Sequence, residues 1–128
     1  MKNLIAFIGF GEAAFHIAKG LKSEGLNDII AYDVNQNDEK MGPIIKKRSE
    51  EAGVTLAESL EEAYTTSDFV ASLTSASVAY VVAKPIITQL VAGQTYIDMN
   101  AASPTVKENI SKIEHADGVM FCDAAIMG

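Results

Sequence analysis

The chain has 128 residues, of which 48% are apolar and 21% charged, as in an ordinary globular domain. Its net charge of −7 excludes broad binding to nucleic acid, which needs a basic surface. No run of about 18 uninterrupted apolar residues is present, so no membrane partner is expected. The single cysteine rules out an intrachain disulfide and fits the reducing cytoplasm, which we expect as the compartment.

The N-terminal part of the chain alternates apolar runs with a segment of helical periodicity. Leu4–Ile8 is a continuous apolar run, as in a strand that is buried on both faces. Apolar residues at helical spacing follow over residues 14–21, and Gly25 ends that helix. A second strand is predicted at Ile29–Tyr32.

The next segments carry clear helix-boundary signals. A helix is predicted over residues 43–52, with a proline in its first turn and a glycine just past its end. Val54–Leu56 is a brief strand candidate. Ser59 and Glu62 form a capping box, which predicts a short helix through Ala63.

The same alternation continues to the end of the chain. A fourth strand is predicted at Phe69–Leu73, followed by a helix over residues 77–83 that restarts at Pro85 and runs to residue 91. Strands five and six are predicted at Tyr96–Met99 and Val119–Asp123. Between them, an N-cap serine, an N1 proline and one apolar face predict a helix, from Ser103, Pro104, Val106, Ile110 and Ile113.

Strands that alternate with helices indicate βαβ units, a parallel sheet and right-handed crossovers. We therefore predict a single Rossmann-type, doubly wound α/β domain over residues 1–128, with strand order 3-2-1-4-5-6. Ligands of such sheets bind at the carboxyl ends of the strands. Four polar residues fall at those ends: Asp33, Thr74, Ser75 and Asn100.

The segment Gly9-x-Gly11-x-x-Ala14 follows a strand and opens a helix, which is the setting of the dinucleotide-binding fingerprint. The first glycine permits the tight turn, the second lets the backbone approach a pyrophosphate, and the small third residue lets helix and strand pack closely. The phosphates would lie at the helix N-terminus, among free N–H groups. The predicted cofactor contacts here are Gly9, Phe10, Gly11, Glu12, Ala13 and Ala14.

The fingerprint also expects an acidic residue about 20 positions further on. Asp33 stands there, at the end of the second predicted strand. A carboxylate at this place accepts hydrogen bonds from the adenosine ribose and repels a 2′-phosphate. Because Val34, Asn35 and Gln36 follow and no arginine does, NAD is favoured over NADP as the cofactor.

Two other classes share these front-half features. S-adenosylmethionine enzymes also use a glycine-rich first turn and an acid after the second strand. Nucleotide-sensing domains of similar build bind the ligand and perform no chemistry. The first half of the chain does not separate these classes from a dehydrogenase.

Two later stretches, DMNAASP at residues 98–104 and FCDAAIMG at residues 121–128, narrow the choice. Together with the glycine turn they resemble the β-hydroxyacid dehydrogenase family, whose pattern is D-x-S-T-x-x-P followed by D-A-P-V-S-G. Its members include 3-hydroxyisobutyrate and 6-phosphogluconate dehydrogenases. Residues 18–32 also resemble pyrroline-5-carboxylate reductases, but the two later stretches favour the first family.

The resemblance implies an oxidoreductase that transfers a hydride between a nicotinamide cofactor and a small β-hydroxyacid. This chain would be its cofactor-binding domain, and a further helical domain would carry a catalytic lysine and form a homo-oligomer. Lys107 and Lys112 are expected on a surface helix, and neither matches the position of the catalytic lysine. No catalytic residue is therefore predicted within these 128 residues.

The resemblance also assigns site residues by position. Leu73 and Thr74, with Ser75 after them, match the loop that lies along the cofactor. Asn100 and Ala101 match the Ser-Thr pair near the nicotinamide and the substrate, so Asn100 is expected to contact both. The predicted substrate contacts are Asn100, Ala101, Met127 and Gly128.

The remaining reactive side chains have structural interpretations. His16 and His115 are expected to be solvated, and Cys122 is expected to be a buried, inert thiol within its strand. No spacing of histidine, cysteine and acidic residues supports a metal site.

Overall fold

Apolar runs form the strands of this domain, and the amphipathic segments between them form its helices. The computed structural model describes residues 2–124. The strands are β1 (Asn3–Ile8), β2 (Ile29–Tyr32), β3 (Thr55–Leu56), β4 (Ser67–Ser72), β5 (Thr95–Asp98) and β6 (Met120–Asp123). The helices are α1 (Glu12–Ser23), α2 (Met41–Ala52), α3 (Leu60–Thr65), α4 (Ala79–Ile87) and α5 (Pro104–Ser111), with a 3₁₀ turn at Ala76–Val78.

The described strands form one parallel sheet in the order β3-β2-β1-β4-β5-β6, which confirms the predicted fold class and strand order. The order reverses at β1, whose last residue, Ile8, pairs with Tyr32 of β2 and with Ser72 of β4. Connections on the two sides of this switch point lead to opposite faces of the sheet. A crevice therefore opens beyond the carboxyl ends of β1, β2 and β4.

Each face of the sheet packs against its own set of helices. Helices α1 and α2 cover one face and enclose a cluster around Phe7, Ala31 and Ala71. Helices α3, α4 and α5 cover the other face, around Val70 and Tyr96. Burial on both faces explains why β1 and β2 are apolar at nearly every position.

The predicted serine caps are confirmed at α3 and α5. The Ser59 hydroxyl accepts a hydrogen bond from the backbone N–H of Glu62 at 3.1 Å. The Ser103 hydroxyl accepts one from the backbone N–H of Val106 at 3.3 Å. Each bond satisfies a donor that the first helical turn otherwise leaves unpaired.

The predicted break at Pro85 is wrong, because α4 runs through the proline and ends at Ile87. Its buried residues, Ala79, Ala83 and Ile86, follow helical spacing on both sides of Pro85. Packing of this stripe against the sheet compensates for the one intrahelical hydrogen bond that a proline lacks.

The prediction that Cys122 is buried is also wrong, since its side chain is exposed. Cys122 pairs with Ile97 and so faces the side of the sheet on which α1 and α2 lie. Among residues 2–124, those helices pack over the β1–β3 half of the sheet and leave this side of β6 open. Its neighbour on the same face, Met120, is 62% exposed for the same reason.

Lys107 differs from its expected surface position as well. Lys107 is only 9% exposed, although Glu108, the other charged residue of α5, is exposed to solvent. The physical reason is that two carboxylates from distant positions, Asp98 and Asp123, converge on its ammonium group.

Candidate functional site

A cleft of about 670 Å³ lies beyond the carboxyl ends of β1, β2 and β4. Its volume is in the range of small-molecule sites. Five predicted cofactor residues line it: Gly9, Gly11, Asp33, Leu73 and Thr74. The glycine turn, the acidic residue and the loop after β4 therefore meet in one cavity, as the strand order requires.

Gly9 is required by the protein itself. Its φ is +94°, and a Cβ at this position would overlap the carbonyl oxygen of Leu73. Its N–H donates a 2.8 Å hydrogen bond to the carbonyl of Tyr32, and the N–H of Leu73 donates one of the same length to Ile8. The turn is thus held between the ends of β2 and β4, with no room for a side chain.

Gly11 presents the opposite case. Its φ is −80°, which any residue adopts, and a Cβ built on it meets nothing within 4 Å. It is the N-cap of α1, yet no side chain caps that end of the helix. The unpaired N–H groups of the first turn and the positive end of the helix dipole therefore face open space, an arrangement suited to an anion.

The other residues of the turn divide by environment. Ala14 is 1% exposed and packs α1 on the sheet, as predicted for the third small residue. Phe10 is fully buried beside Phe7 and does not line the cleft, and its backbone N–H is bonded to Asp33. Glu12 and Ala13 are exposed, and neither lines the cleft.

The exposed carboxylate of Glu12 lies on the helix surface rather than over the helix end. One of its oxygens is 3.7 Å from Nε2 of His16, one turn further along α1. The His16 side chain is 65% exposed, which confirms that it is a solvated helix histidine. His115 is exposed too, as predicted.

Asp33 is fixed by backbone groups. One carboxylate oxygen accepts the N–H of Phe10 at 2.8 Å, and the other accepts the N–H of Asn35 at 2.9 Å. Each oxygen keeps further lone-pair capacity toward the cleft. The carboxylate is therefore oriented before any ligand arrives.

Gln36 supports this arrangement and was not predicted as a site residue. Its side chain is nearly buried; Oε1 accepts the N–H of Asp33 at 3.0 Å, and Nε2 donates to the carbonyl of Ala57 at 2.7 Å. It thus ties the loop after β2 to the end of β3. A glutamine in a polar loop carries no sequence signal for such a role.

Asn100 lies beside the cleft rather than in its wall. Its Oδ1 accepts the N–H of Thr74 at 2.9 Å, and its Nδ2 donates to Ser72 at 3.1 Å and to Asp98 at 2.8 Å. Both amide hydrogens thus have protein partners, so a ligand carboxylate would have to replace one of them. Its predicted contacts with cofactor and substrate stay predictions.

Ser75 and Ala101, two further predicted site residues, do not line the cleft. Ser75 is exposed, with its hydroxyl 3.1 Å from that of Ser77. Ala101 is exposed on the loop after β5. The predicted substrate contacts Met127 and Gly128 lie outside the described residues.

One wall of the cleft was not predicted. It consists of apolar residues of α4 and the turn before it, Val78, Val81, Val82 and Pro85. Their spacing of i, i+3, i+4 and i+7 forms a second apolar stripe beside the buried one, which is the signal that could have revealed them. Val81 is 69% exposed, and Val34, which lines the cleft from the β2 loop, is 81% exposed.

A partly buried charged network underlies the loops after β4, β5 and β6. Nζ of Lys107 is 3.1 Å from a carboxylate oxygen of Asp98 and 2.7 Å from one of Asp123. Burial raises the pKa of the hydroxyl of Tyr96, which lies two residues before Asp98 on β5.

The described residues were also compared with the requirements of a metal site and of a membrane-crossing helix. Within residues 2–124, no three histidine, cysteine, aspartate or glutamate side chains are grouped so as to hold a metal ion. No helix in this part of the chain has the length and apolar character that crossing a membrane requires.

Known proteins supply an independent comparison. Residues 4–128 match the family described as the NAD-binding domain of 6-phosphogluconate dehydrogenase. None of the curated protein sequences gives a significant match.

Solved structures are similar over the full length of the chain. A conserved hypothetical protein from Sinorhizobium meliloti 1021 is 30% identical over 100% of the chain, with a TM-score of 0.86. A conserved protein of unknown function, described as structurally similar to 3-hydroxyacid dehydrogenases, is 31% identical over 97%, with a TM-score of 0.76. The 3-hydroxyisobutyrate dehydrogenase of Mycobacterium tuberculosis shares the fold over 100% of the chain, at 20% identity and a TM-score of 0.77.

The chain spans 42%, 43% and 42% of the lengths of these three proteins. The family match covers nearly every residue and agrees with the strand order, the glycine turn and the position of Asp33. The resemblance to the hydroxyacid dehydrogenases is thereby confirmed: this chain belongs to the family of NAD-binding domains of 6-phosphogluconate dehydrogenase.

Proposed function

We propose that the cleft binds NAD and that the chain is the cofactor domain of an oxidoreductase acting on a small β-hydroxyacid. The observation that carries this proposal is Gly11, where a side chain would meet no protein atom within 4 Å. Because glycine has no side chain, the N-terminus of α1 is open to a close-fitting anion such as a pyrophosphate.

The cleft has a suitable group for each part of the cofactor. The pyrophosphate would lie against the first turn of α1, and the adenosine ribose would donate hydrogen bonds to Asp33. The apolar side chains of Val34 and Val81 would enclose the adenine ring. The nicotinamide would lie toward Leu73 and Thr74, at the carboxyl end of β4.

Asp33 supports NAD rather than NADP as the cofactor. Backbone N–H groups hold its carboxylate at the cleft, where it would repel a 2′-phosphate. Val34, Asn35 and Gln36 follow it, so none of the next three residues is a cation that would offset that repulsion.

The bound cofactor would accept or supply the hydride. This chain would hold the cofactor, exclude water from the apolar side of the cleft and keep the nicotinamide near the loops after β4 and β5. The general base, a lysine by family resemblance, would come from a further helical domain, which would also form a homo-oligomer. A cytoplasmic location completes the proposal.

A nucleotide-sensing domain without chemistry is the second candidate. It is favoured by Ala101, which lacks the hydroxyl of the family pattern, and by Asn100, whose amide hydrogens both bond within the protein. The two candidates differ in turnover: only an oxidoreductase forms NADH when the intact protein is supplied with NAD and a panel of small β-hydroxyacids.

Calorimetric titration of the intact protein with NAD, NADP and S-adenosylmethionine tests the binding site. We expect NAD to bind at least about tenfold more tightly than NADP, a difference near 1.4 kcal/mol. Tighter binding of S-adenosylmethionine would overturn the dehydrogenase interpretation. Equal affinities for NAD and NADP would refute the role of Asp33 alone.

A further inference from the structure

We propose that Lys107 is a positioning residue for the cleft, an inference that rests on the proposed function of that cleft. Lys107 lies on α5 and does not line the cavity. It would act through Asp98 and Asn100 on the loop that carries Thr74, which does line the cavity.

The path from Lys107 to the cleft begins at the lysine's ammonium group. Three oxygens surround it: the backbone carbonyl of Asp98 at 3.1 Å, a carboxylate oxygen of Asp98 at 3.1 Å, and a carboxylate oxygen of Asp123 at 2.7 Å. Its side chain is 10% exposed and that of Asp98 is 1% exposed. The Asp123 side chain is 50% exposed, so the cation joins the buried end of β5 to the half-exposed end of β6.

Asp98 links Lys107 to Asn100, because its two carboxylate oxygens have different partners. Oδ2 lies 3.1 Å from Nζ of Lys107 as an ion-pair contact and makes no hydrogen bond within the described residues. Oδ1 accepts both the backbone N–H and the side-chain amide of Asn100, at 3.0 and 2.8 Å. Rotation of this carboxylate would change both contacts at once. The cation on one side thus sets the direction in which Asn100 is held on the other.

Asn100 in turn links Asp98 to the loop that lines the cleft. Its Oδ1 accepts the N–H of Thr74 at 2.9 Å, and this bond fixes the loop after β4. That loop lies directly on the glycine turn, since a Cβ at Gly9 would come within 3.3 Å of a Thr74 methyl group. A small movement of the loop would therefore alter the closest approach of a ligand to the turn.

Stability alone does not account for a charged cluster at this place. Apolar side chains in place of the whole charged cluster would close α5 against the sheet equally well, since replacing a buried ion pair by well-packed apolar residues is often neutral or stabilising. What an apolar residue lacks is a cation that orients the Asp98 carboxylate. The network is therefore better explained by the geometry it imposes on Asn100 and Thr74.

The direct test measures amide hydrogen exchange by NMR in the intact protein, comparing wild type with Lys107→Met. We expect the Thr74 amide to exchange about tenfold faster in the variant, while the Phe10 amide, bonded to Asp33, is unchanged. Lys112→Met is the matched control, because Lys112 is exposed at the C-cap of the same helix and pairs with Glu108. Unchanged exchange at Thr74, or equal acceleration at Phe10, would overturn the proposal.

A second measurement connects the network to binding. We expect the Kd for NADH to rise about threefold to tenfold in Lys107→Met at a temperature where the variant is fully folded. A stability loss without a change in Kd would show a merely structural role and overturn the proposal. If wild-type protein does not bind NADH, the proposed function fails, while the exchange measurement still decides the role of Lys107.

Lys107→Met leaves Asp98 buried without a cation and so risks misfolding. Lys107→Gln retains a hydrogen-bond donor toward Asp98 and serves as the second variant. We expect the same acceleration at Thr74 in smaller degree. Lys107→Gln removes the ion pair with Asp98. If this variant is folded and its Thr74 amide exchanges at the wild-type rate, the proposal is likewise overturned.

Discussion

The backbone N–H of Phe10 donates a 2.8 Å hydrogen bond to a carboxylate oxygen of Asp33, across 23 positions of the sequence. This bond joins the glycine turn to the acidic residue at the end of the neighbouring strand. Because the second oxygen is held by Asn35, the carboxylate has one fixed orientation toward the cleft. Its geometry is preorganised for the hydroxyl groups of a ribose.

Asp33→Ala should weaken NAD binding about tenfold to a hundredfold, since it removes charge-assisted hydrogen bonds to the ribose. Binding of NADP should change less, because the repulsion of its 2′-phosphate is removed at the same time. Calorimetric titration with both cofactors measures the two effects. Asp117→Ala, an exposed change in the loop before β6, is the control, and unchanged affinities in Asp33→Ala would refute the assignment.

Gly9→Ala and Gly11→Ala should have opposite effects, although both lie in one turn. Gly9→Ala should lower the free energy of unfolding by about 2–4 kcal/mol, because φ is +94° and the new Cβ overlaps Leu73. Gly11→Ala should change it by about 1 kcal/mol or less and still weaken NAD binding at least about tenfold.

Denaturant unfolding and calorimetric titration separate the two glycine variants, and each variant is the control for the other. Normal NAD affinity in Gly11→Ala would show that the open N-terminus of α1 is not the pyrophosphate site. Normal stability in Gly9→Ala would contradict the close contact with Leu73.

Gln36→Met should lower the free energy of unfolding by about 2–3 kcal/mol, because it leaves the N–H of Asp33 and the carbonyl of Ala57 without partners. Denaturant unfolding measures this loss, and Gln89→Met, at an exposed position, is the matched control. We also expect weaker NAD binding, since Asp33 would no longer be held by its own N–H. A variant as stable as wild type would contradict the role of Gln36 in this loop.

Val81→Ser should weaken NAD binding about threefold to tenfold by removing apolar surface from the adenine side of the cleft. Its effect on stability should be small, because the residue is 69% exposed without ligand. Val91→Ser changes a valine that is 51% exposed and does not line the cleft, so it controls for general surface effects. Equal NAD affinities in the two variants would remove Val81 from the site.

Local signals predicted most of the fold. Six apolar runs, two serine caps and the alternation of strands with helices were enough for the class and the strand order. These signals were enough because the spacing of apolar residues within an element indicates which side chains are buried. Right-handed crossovers then leave few possible arrangements of the strands and helices. The glycine turn and Asp33 were predictable for the same reason, since adjacent parallel strands end at one edge of the sheet.

Long-range contacts account for the errors. Pro85 lies inside α4 because packing of Ala79, Ala83 and Ile86 on the sheet outweighs a local helix-breaking signal. Cys122 is exposed because the described helices on its side of the sheet cover other strands. The helical conformation at Pro85 and the exposure of Cys122 therefore do not depend on the residues adjacent to them in the sequence.

Periodicity, caps and glycines act within a few residues of one another, and they were enough to predict a parallel α/β domain with a nucleotide-type turn. The folded domain alone shows which oxygen of Asp98 faces Lys107, how Gln36 holds Asp33, and that Gly9 but not Gly11 is required by the fold itself. Those relationships join residues from different strands and helices. Their distances are set by packing of the whole domain, which no local pattern records.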